Sequence, residues 1–174
     1  TQKAENFKGW AHMTCRGVSY HDDAVYASAE QSPTGTASTT PASTVCPRRI
    51  FLPTADTRLI ALNADTGKMC EDFGDKGQVD LTANIGGFTA GGYYSTSPPA
   101  VTQNLVVIGG HVTDNVSTDE PSGVIRAYDV HTGKLVWNWD SGKPDDTTPI
   151  AEGKTYTRNS PNMWSMFSVD EKLG

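Results

Sequence analysis

Leu59-Ile60-Ala61-Leu62-Asn63-Ala64-Asp65-Thr66-Gly67-Lys68-Met69 recurs 66 residues further on as Ile125-Arg126-Ala127-Tyr128-Asp129-Val130-His131-Thr132-Gly133-Lys134-Leu135, and this repeat decides the fold. Each copy reads as a strand, a turn and a second strand, with Gly67 or Gly133 supplying the positive φ that a tight hairpin needs. Phe73 and Trp139 fall at matching places after the turn. Upstream of the first copy stand the strand candidates 17–20 and 50–52, and upstream of the second stand 99–101 and 105–108. Four strands per unit make a propeller blade, and a third unit opens at Trp164-Ser165-Met166-Phe167-Ser168-Val169, before the turn-like Asp170-Glu171-Lys172. The expected fold is therefore all-β: a partial β-propeller of about two four-stranded blades plus the start of a third, with little helix. A small β-sandwich is the competing arrangement, and the long repeat period with an aromatic after the turn favours blades.

Both ends read as cut, since the chain starts Thr1-Gln2-Lys3 and stops at Leu173-Gly174 inside a patterned segment. Propellers close with about four to eight blades, so two blades and a strand are expected to fold poorly by themselves. The net charge of −6 argues against a nucleic-acid groove, which needs clustered Lys and Arg to displace counterions. No run approaches the roughly 18 apolar residues of a membrane span; Leu105-Val106-Val107-Ile108 is the longest candidate. Cys15, Cys46 and Cys70 match no zinc spacing, and a Cys46–Cys70 bridge between neighbouring strands is one open pairing.

Residues 28–44 are nearly all small and polar and read as a surface loop of the first blade. A second irregular stretch, 75–94, carries Gly86-Gly87 and Gly91-Gly92, which turn the chain or let backbone approach a ligand.

The pattern Ala-Leu-Asn-Ala-Asp-Thr-Gly-Lys followed by an aromatic resembles the blade motif of quinoprotein dehydrogenases, which use pyrroloquinoline quinone (PQQ), and the resemblance runs through nearly the whole chain as one PQQ-binding propeller unit. The segments His12-Met13-Thr14-Cys15-Arg16-Gly17-Val18, Cys46-Pro47-Arg48-Arg49, Thr96-Ser97-Pro98-Pro99 and Val112-Thr113-Asp114-Asn115 are similar to the membrane-bound glucose dehydrogenase branch. This resemblance implies an eight-bladed parent propeller on the periplasmic face of the bacterial inner membrane, anchored by regions outside this chain. It also implies oxidation of an aldose, D-glucose to gluconolactone, with electrons passing through PQQ to ubiquinone.

PQQ is a flat ortho-quinone with three carboxylates, so its pocket needs cations, stacking surfaces, hydrogen-bond donors and a divalent metal. Arg16 offers a planar guanidinium for a carboxylate. His12, four residues earlier, is implied to pack over the ring where alcohol-oxidising relatives carry a vicinal cysteine pair. Asn162-Met163-Trp164 falls where relatives have Thr-x-Trp, which makes Trp164 the stacking floor and Asn162 an amide donor in place of the threonine. Thr96, held by the two prolines after it, is a donor to a quinone or carboxylate oxygen. Asp114 and Asn115 supply a carboxylate and an amide carbonyl to Ca2+ or Mg2+. His21 and His111 are left structural, and Trp137 and Trp139 are assigned to blade packing. Asn115-Val116-Ser117 is a coincidental glycosylation sequon. No catalytic residue is assigned, because the general base is expected beyond the C-terminus. Two rivals stand beside this reading: a quinate or polyol dehydrogenase of the same branch, and a non-catalytic propeller scaffold of the outer-membrane assembly type. The scaffold needs no cluster of His12, Arg16, Thr96, Asp114 and Trp164.

Overall fold

The computed structural model of the chain describes Trp10, Thr14 and residues 16–29, 45–113 and 116–173, with the side chains of 27–29 excepted. Its first sheet joins β1 (Ser19–Asp22), β2 (Arg48–Pro53), β3 (Arg58–Asn63) and β4 (Gln78–Asp80) in sequence order, all antiparallel. The second sheet has β6 (Ala100–Val101), β7 (Leu105–Ile108), β9 (Ile125–Asp129) and β10 (Leu135–Trp139), again in chain order. A two-stranded ribbon, β5 (Tyr93–Tyr94) with β8 (His111–Val112), lies beside it. This is the expected all-β partial propeller, two blades with their first strands β1 and β6 side by side. Ser19 Oγ donates to the Pro99 carbonyl there.

The repeat owes its shape to one polar side chain per copy. Asn63 Oδ1 accepts from the Asp65 and Thr66 amides at 2.9 and 3.0 Å, and Asp129 Oδ1 accepts from His131 and Thr132 at 3.0 and 2.7 Å. These Asx turns leave Gly67 and Gly133 at φ 68° and 67°, where a Cβ would be strained.

Beyond the glycine the copies diverge. In the second, β10 pairs with β9 at once. In the first, only Met69 bridges Leu62; Cys70 is bonded to Cys46 with Cα atoms 5.8 Å apart, and the chain then turns inward. Phe73 is consequently buried, its ring 5.4 Å from that of Phe51, and the fourth strand comes later, at β4. Phe73 and Trp139 are thus not equivalent: Trp139 stands 36% exposed on β10, where it lines an apolar hollow with Trp137 and Ile125, so these tryptophans face outward.

Three further expectations change. The inner strand of the first blade begins at Ser19 and runs on to Asp22, because Asp22 pairs with Arg48 before the chain enters α1 (Asp23–Ala29). That helix takes the start of the 28–44 loop, whose remainder from residue 30 lies outside the described residues, as does Cys15. The segment 164–169 is not a strand: among the described residues no strand pairs with it, and Trp164, Met166 and Val169 are exposed.

One core serves both sheets. Phe51, Leu59, Ala61 and Phe73 of the first are contiguous with Val106, Ile108, Tyr128 and Val130 of the second. Two buried guanidinium groups tie the blades. Arg49 pairs with Asp72 through both nitrogens, at 3.1 and 2.6 Å, and donates to the His131 carbonyl at 3.3 Å. Arg126 donates to the carbonyls of Leu81 and Ala83 and to the Tyr93 hydroxyl, at 2.7, 3.2 and 3.1 Å.

Candidate cofactor site

Three separate segments meet at the N-terminal ends of the first strands. Arg16 lies just before β1, Thr96-Ser97 lies just before β6, and 161–164 crosses them from the far end of the chain. That crossing is possible only over bare backbone: a Cβ on Gly123 would lie 2.1 Å from the Pro161 carbonyl oxygen, and one on Gly109 would lie 2.7 Å from that of Met163. Ser95 Oγ donates to the Gly109 carbonyl at 2.7 Å and joins the strand to this crossing.

The Trp164 carbonyl is the hub. It accepts from Thr96 Oγ1 at 2.7 Å, Ser97 Oγ at 2.8 Å and Arg16 Nη1 at 3.0 Å. Arg16 Nη1 also reaches Thr96 Oγ1 at 3.0 Å and Ser97 Oγ at 3.2 Å, and the guanidinium carbon sits 5.4 Å from the centre of the Trp164 ring. Such a cation over an indole adds electrostatic attraction to the hydrogen bonds. Thr96 and Ser97 are buried, whereas the Trp164 ring, 48% exposed, keeps area for a ligand.

The structure therefore brings Arg16, Thr96 and Trp164 together, with Asn162 two residues away on the crossing segment. Asn162 Oδ1 is buried with no hydrogen-bond partner among the described residues. His12, Asp114 and Asn115 lie outside those residues, but β8, which leads toward Asp114, pairs His111 with Tyr94, two residues before Thr96. In the described arrangement the Thr96 hydroxyl holds the tryptophan's main chain, which makes it a positioning group.

Ser97 and the ring stack behind the site were missed from the sequence. Ser97 shares the diproline motif with Thr96, and that adjacency was the available signal. Trp10 stacks on Tyr94 at 5.4 Å, and Tyr94 meets the His111 ring at 5.3 Å. Burial holds the Tyr94 hydroxyl above the ordinary phenol pKa. A cation, two hydroxyls, an indole face and a buried amide oxygen awaiting a donor form a set suited to a flat, carboxylated, hydrogen-bonding ligand, and the residues present fit PQQ.

With that geometry in place, sequence comparison gives the class: the chain belongs to the family described as "PQQ: Glucose/ethanol/alcohol dehydrogenase, beta-propeller domain", which matches residues 1–174. Within it, the chain is 48% identical over 171 residues to quinoprotein glucose dehydrogenase A of Acinetobacter calcoaceticus, covering 98% of this chain and 21% of that protein. It is 47% identical over 167 residues to quinoprotein glucose dehydrogenase of Escherichia coli (strain K12), covering 95% of this chain and 20% of that protein. Quinate/shikimate dehydrogenase (quinone) of Acinetobacter baylyi is 44% identical over 178 residues, covering 98% of this chain and 22% of that protein. The chain thus spans about a fifth of the length of these relatives.

Proposed function

We propose that this chain forms one wall of the PQQ pocket in a quinoprotein glucose dehydrogenase that oxidises D-glucose to gluconolactone and passes the electrons to ubiquinone. The observation that carries the proposal is the convergence of Arg16, Thr96, Ser97 and Trp164 from three remote segments on one point. A scaffold propeller has no use for that cluster.

Bound PQQ supplies the two-electron acceptor. The protein's part is to orient and shield. Arg16 pairs with a cofactor carboxylate while its Nη1 stays on the Trp164 carbonyl, Trp164 gives a rigid stacking face that excludes water, and Asn162 presents its amide. His12 covers the other face, and Asp114 with Asn115 offers oxygen ligands to Ca2+ or Mg2+. The substrate's proton is taken by a base outside this chain. The site belongs on the periplasmic face of the inner membrane; among the described residues no helix is long and apolar enough to cross a membrane.

The identity to a quinate/shikimate dehydrogenase keeps a second substrate class in view. The test is dye reduction by the full-length protein reconstituted with PQQ and Ca2+ or Mg2+, with glucose, quinate or neither. Glucose- and PQQ-dependent reduction, weakened in His12→Ala and Arg16→Lys, is the expected result. Activity on quinate alone moves the protein to the second class, and no PQQ-dependent turnover with any sugar or polyol restores the scaffold reading.

A further inference from the structure

At the opposite end of β1 from the cofactor cluster, His21, Asp23 and His131 bring ligand atoms within 4.8 Å of one another. His21 ends up there because β1 continues past Tyr20; Asp23 opens α1; His131 comes from the hairpin turn between β9 and β10 of the other blade. In the first copy of the repeat the same position is Asp65, on the surface and paired with Arg48 at 2.6 Å. All three residues are buried, at 1%, 9% and 9% exposure.

The protonation pattern is informative. His21 Nε2 lies 3.0 Å from the Gln103 carbonyl oxygen, which only accepts, so Nε2 carries the proton. The Nδ1 of the neutral ring is then a lone pair, and it faces Asp23 Oδ1 at 3.4 Å with no hydrogen-bond partner. A lone pair opposite a carboxylate is repulsive unless a positive charge lies between. Arg49, the nearby permanent cation, is committed to Asp72. His131 Nε2 approaches the same Asp23 oxygen at 2.8 Å, while its Nδ1 is buried without a partner.

We propose that His21 Nδ1, Asp23 Oδ1 and a ring nitrogen of His131 bind a zinc-class divalent transition metal that locks the two blades together. Two ligands about 2.0–2.1 Å from one ion lie roughly 2.9–3.4 Å apart at octahedral or tetrahedral angles, and the two contacts to Asp23 nearly span that interval. Two imidazoles and one carboxylate select zinc and its neighbours over Ca2+ or Mg2+, which want oxygen. The Gln103 carbonyl is the outer partner that fixes the metal-binding tautomer, and the Tyr26 ring, stacked 4.8 Å from His21, shields it. The second candidate cluster among the described residues, Cys46 and Cys70 beside Asp72, is closed by its disulfide.

The experiment is metal analysis of the full-length protein, then removal of bound metal with EDTA, dialysis into chelator-free buffer, and zinc or cobalt titration of wild type, His21→Gln and His131→Gln. The wild type should hold about one more equivalent of zinc per chain than either variant. Its Co2+ form should gain visible d–d absorption that both variants lack. A strong chelator should lower the melting temperature of the wild type, with zinc restoring it. Should a variant fail to fold, the wild-type chelation and cobalt readouts still decide. Equal stoichiometry in all three proteins, or a wild type whose cobalt spectrum and melting temperature are indifferent to the metal, overturns the proposal. PQQ binding is read in parallel, so loss of the cofactor site is distinguished from loss of this one.

Discussion

At the scale of single residues, the site depends on one carbonyl oxygen. Thr96→Val keeps the shape of the side chain and removes both its bond to the Trp164 carbonyl and its acceptance from Arg16. A buried hydrogen bond contributes about 1 kcal/mol net, so PQQ affinity of the full-length protein should fall roughly 5- to 10-fold in a cofactor titration, with Thr96→Ser close to wild type. Tyr156 gives a pH signature. Burial raises its pKa to about 12, and its hydroxyl donates to Asn138 Oδ1 at 3.2 Å. Because the folded pKa lies above the unfolded one, near 10, this contribution is intact below about pH 10 and is lost as pH rises toward 12. Tyr156→Phe should flatten the alkaline fall in melting temperature over that window. Of this residue-scale picture, Arg16, Thr96 and Trp164 were legible in the sequence, because each sits in an unusual motif. Ser97 and Tyr94 were not, since a lone hydroxyl or phenol carries no signal until a fold places it. His131 was hidden by the repeat, where it looks like one more turn residue.

At the scale of elements, the hairpins were readable because an Asx side chain and a positive-φ glycine are local chemistry. Their surroundings were not. Gly67 and Gly133 share a conformation, yet a Cβ on Gly67 meets open space, while one on Gly133 would sit 2.6 Å from the Gly74 amide nitrogen of the other blade. Gly67→Ala should therefore cost about 1–2 kcal/mol from φ strain alone, and Gly133→Ala at least twice that, measured as the shift in denaturation midpoint. The inward turn after Cys70 escaped sequence reading for a related reason: a disulfide partner 24 residues away overrides the pattern that made Phe73 look like Trp139. Serine at both cysteines should destabilise the fold by about 3 kcal/mol. The segment 164–169 alternates like a strand, but no strand among the described residues pairs with it, and its first carbonyl instead accepts from Arg16, Thr96 and Ser97.

At the scale of the whole molecule, the blades are joined by a shared apolar core, by Arg49 and by Arg126. Replacing Arg126 with Met keeps much of the volume but leaves the Leu81 and Ala83 carbonyls and the Tyr93 hydroxyl without their common donor. A loss of about 3 kcal/mol is expected in chemical denaturation, with β9 amides losing exchange protection first.

The contact between Arg16 and Trp164 joins residues 148 apart in sequence, whereas each hairpin closes on itself within a few residues. Closing so long a loop is entropically costly, and the cost is repaid only once both sheets already stand. The cofactor wall is therefore the last part of this chain to assemble and the first to open. A ligand gripping Arg16 and Trp164 at once acts as a clasp between two segments remote in sequence, so loading the pocket and suppressing the local opening of this wall are one event.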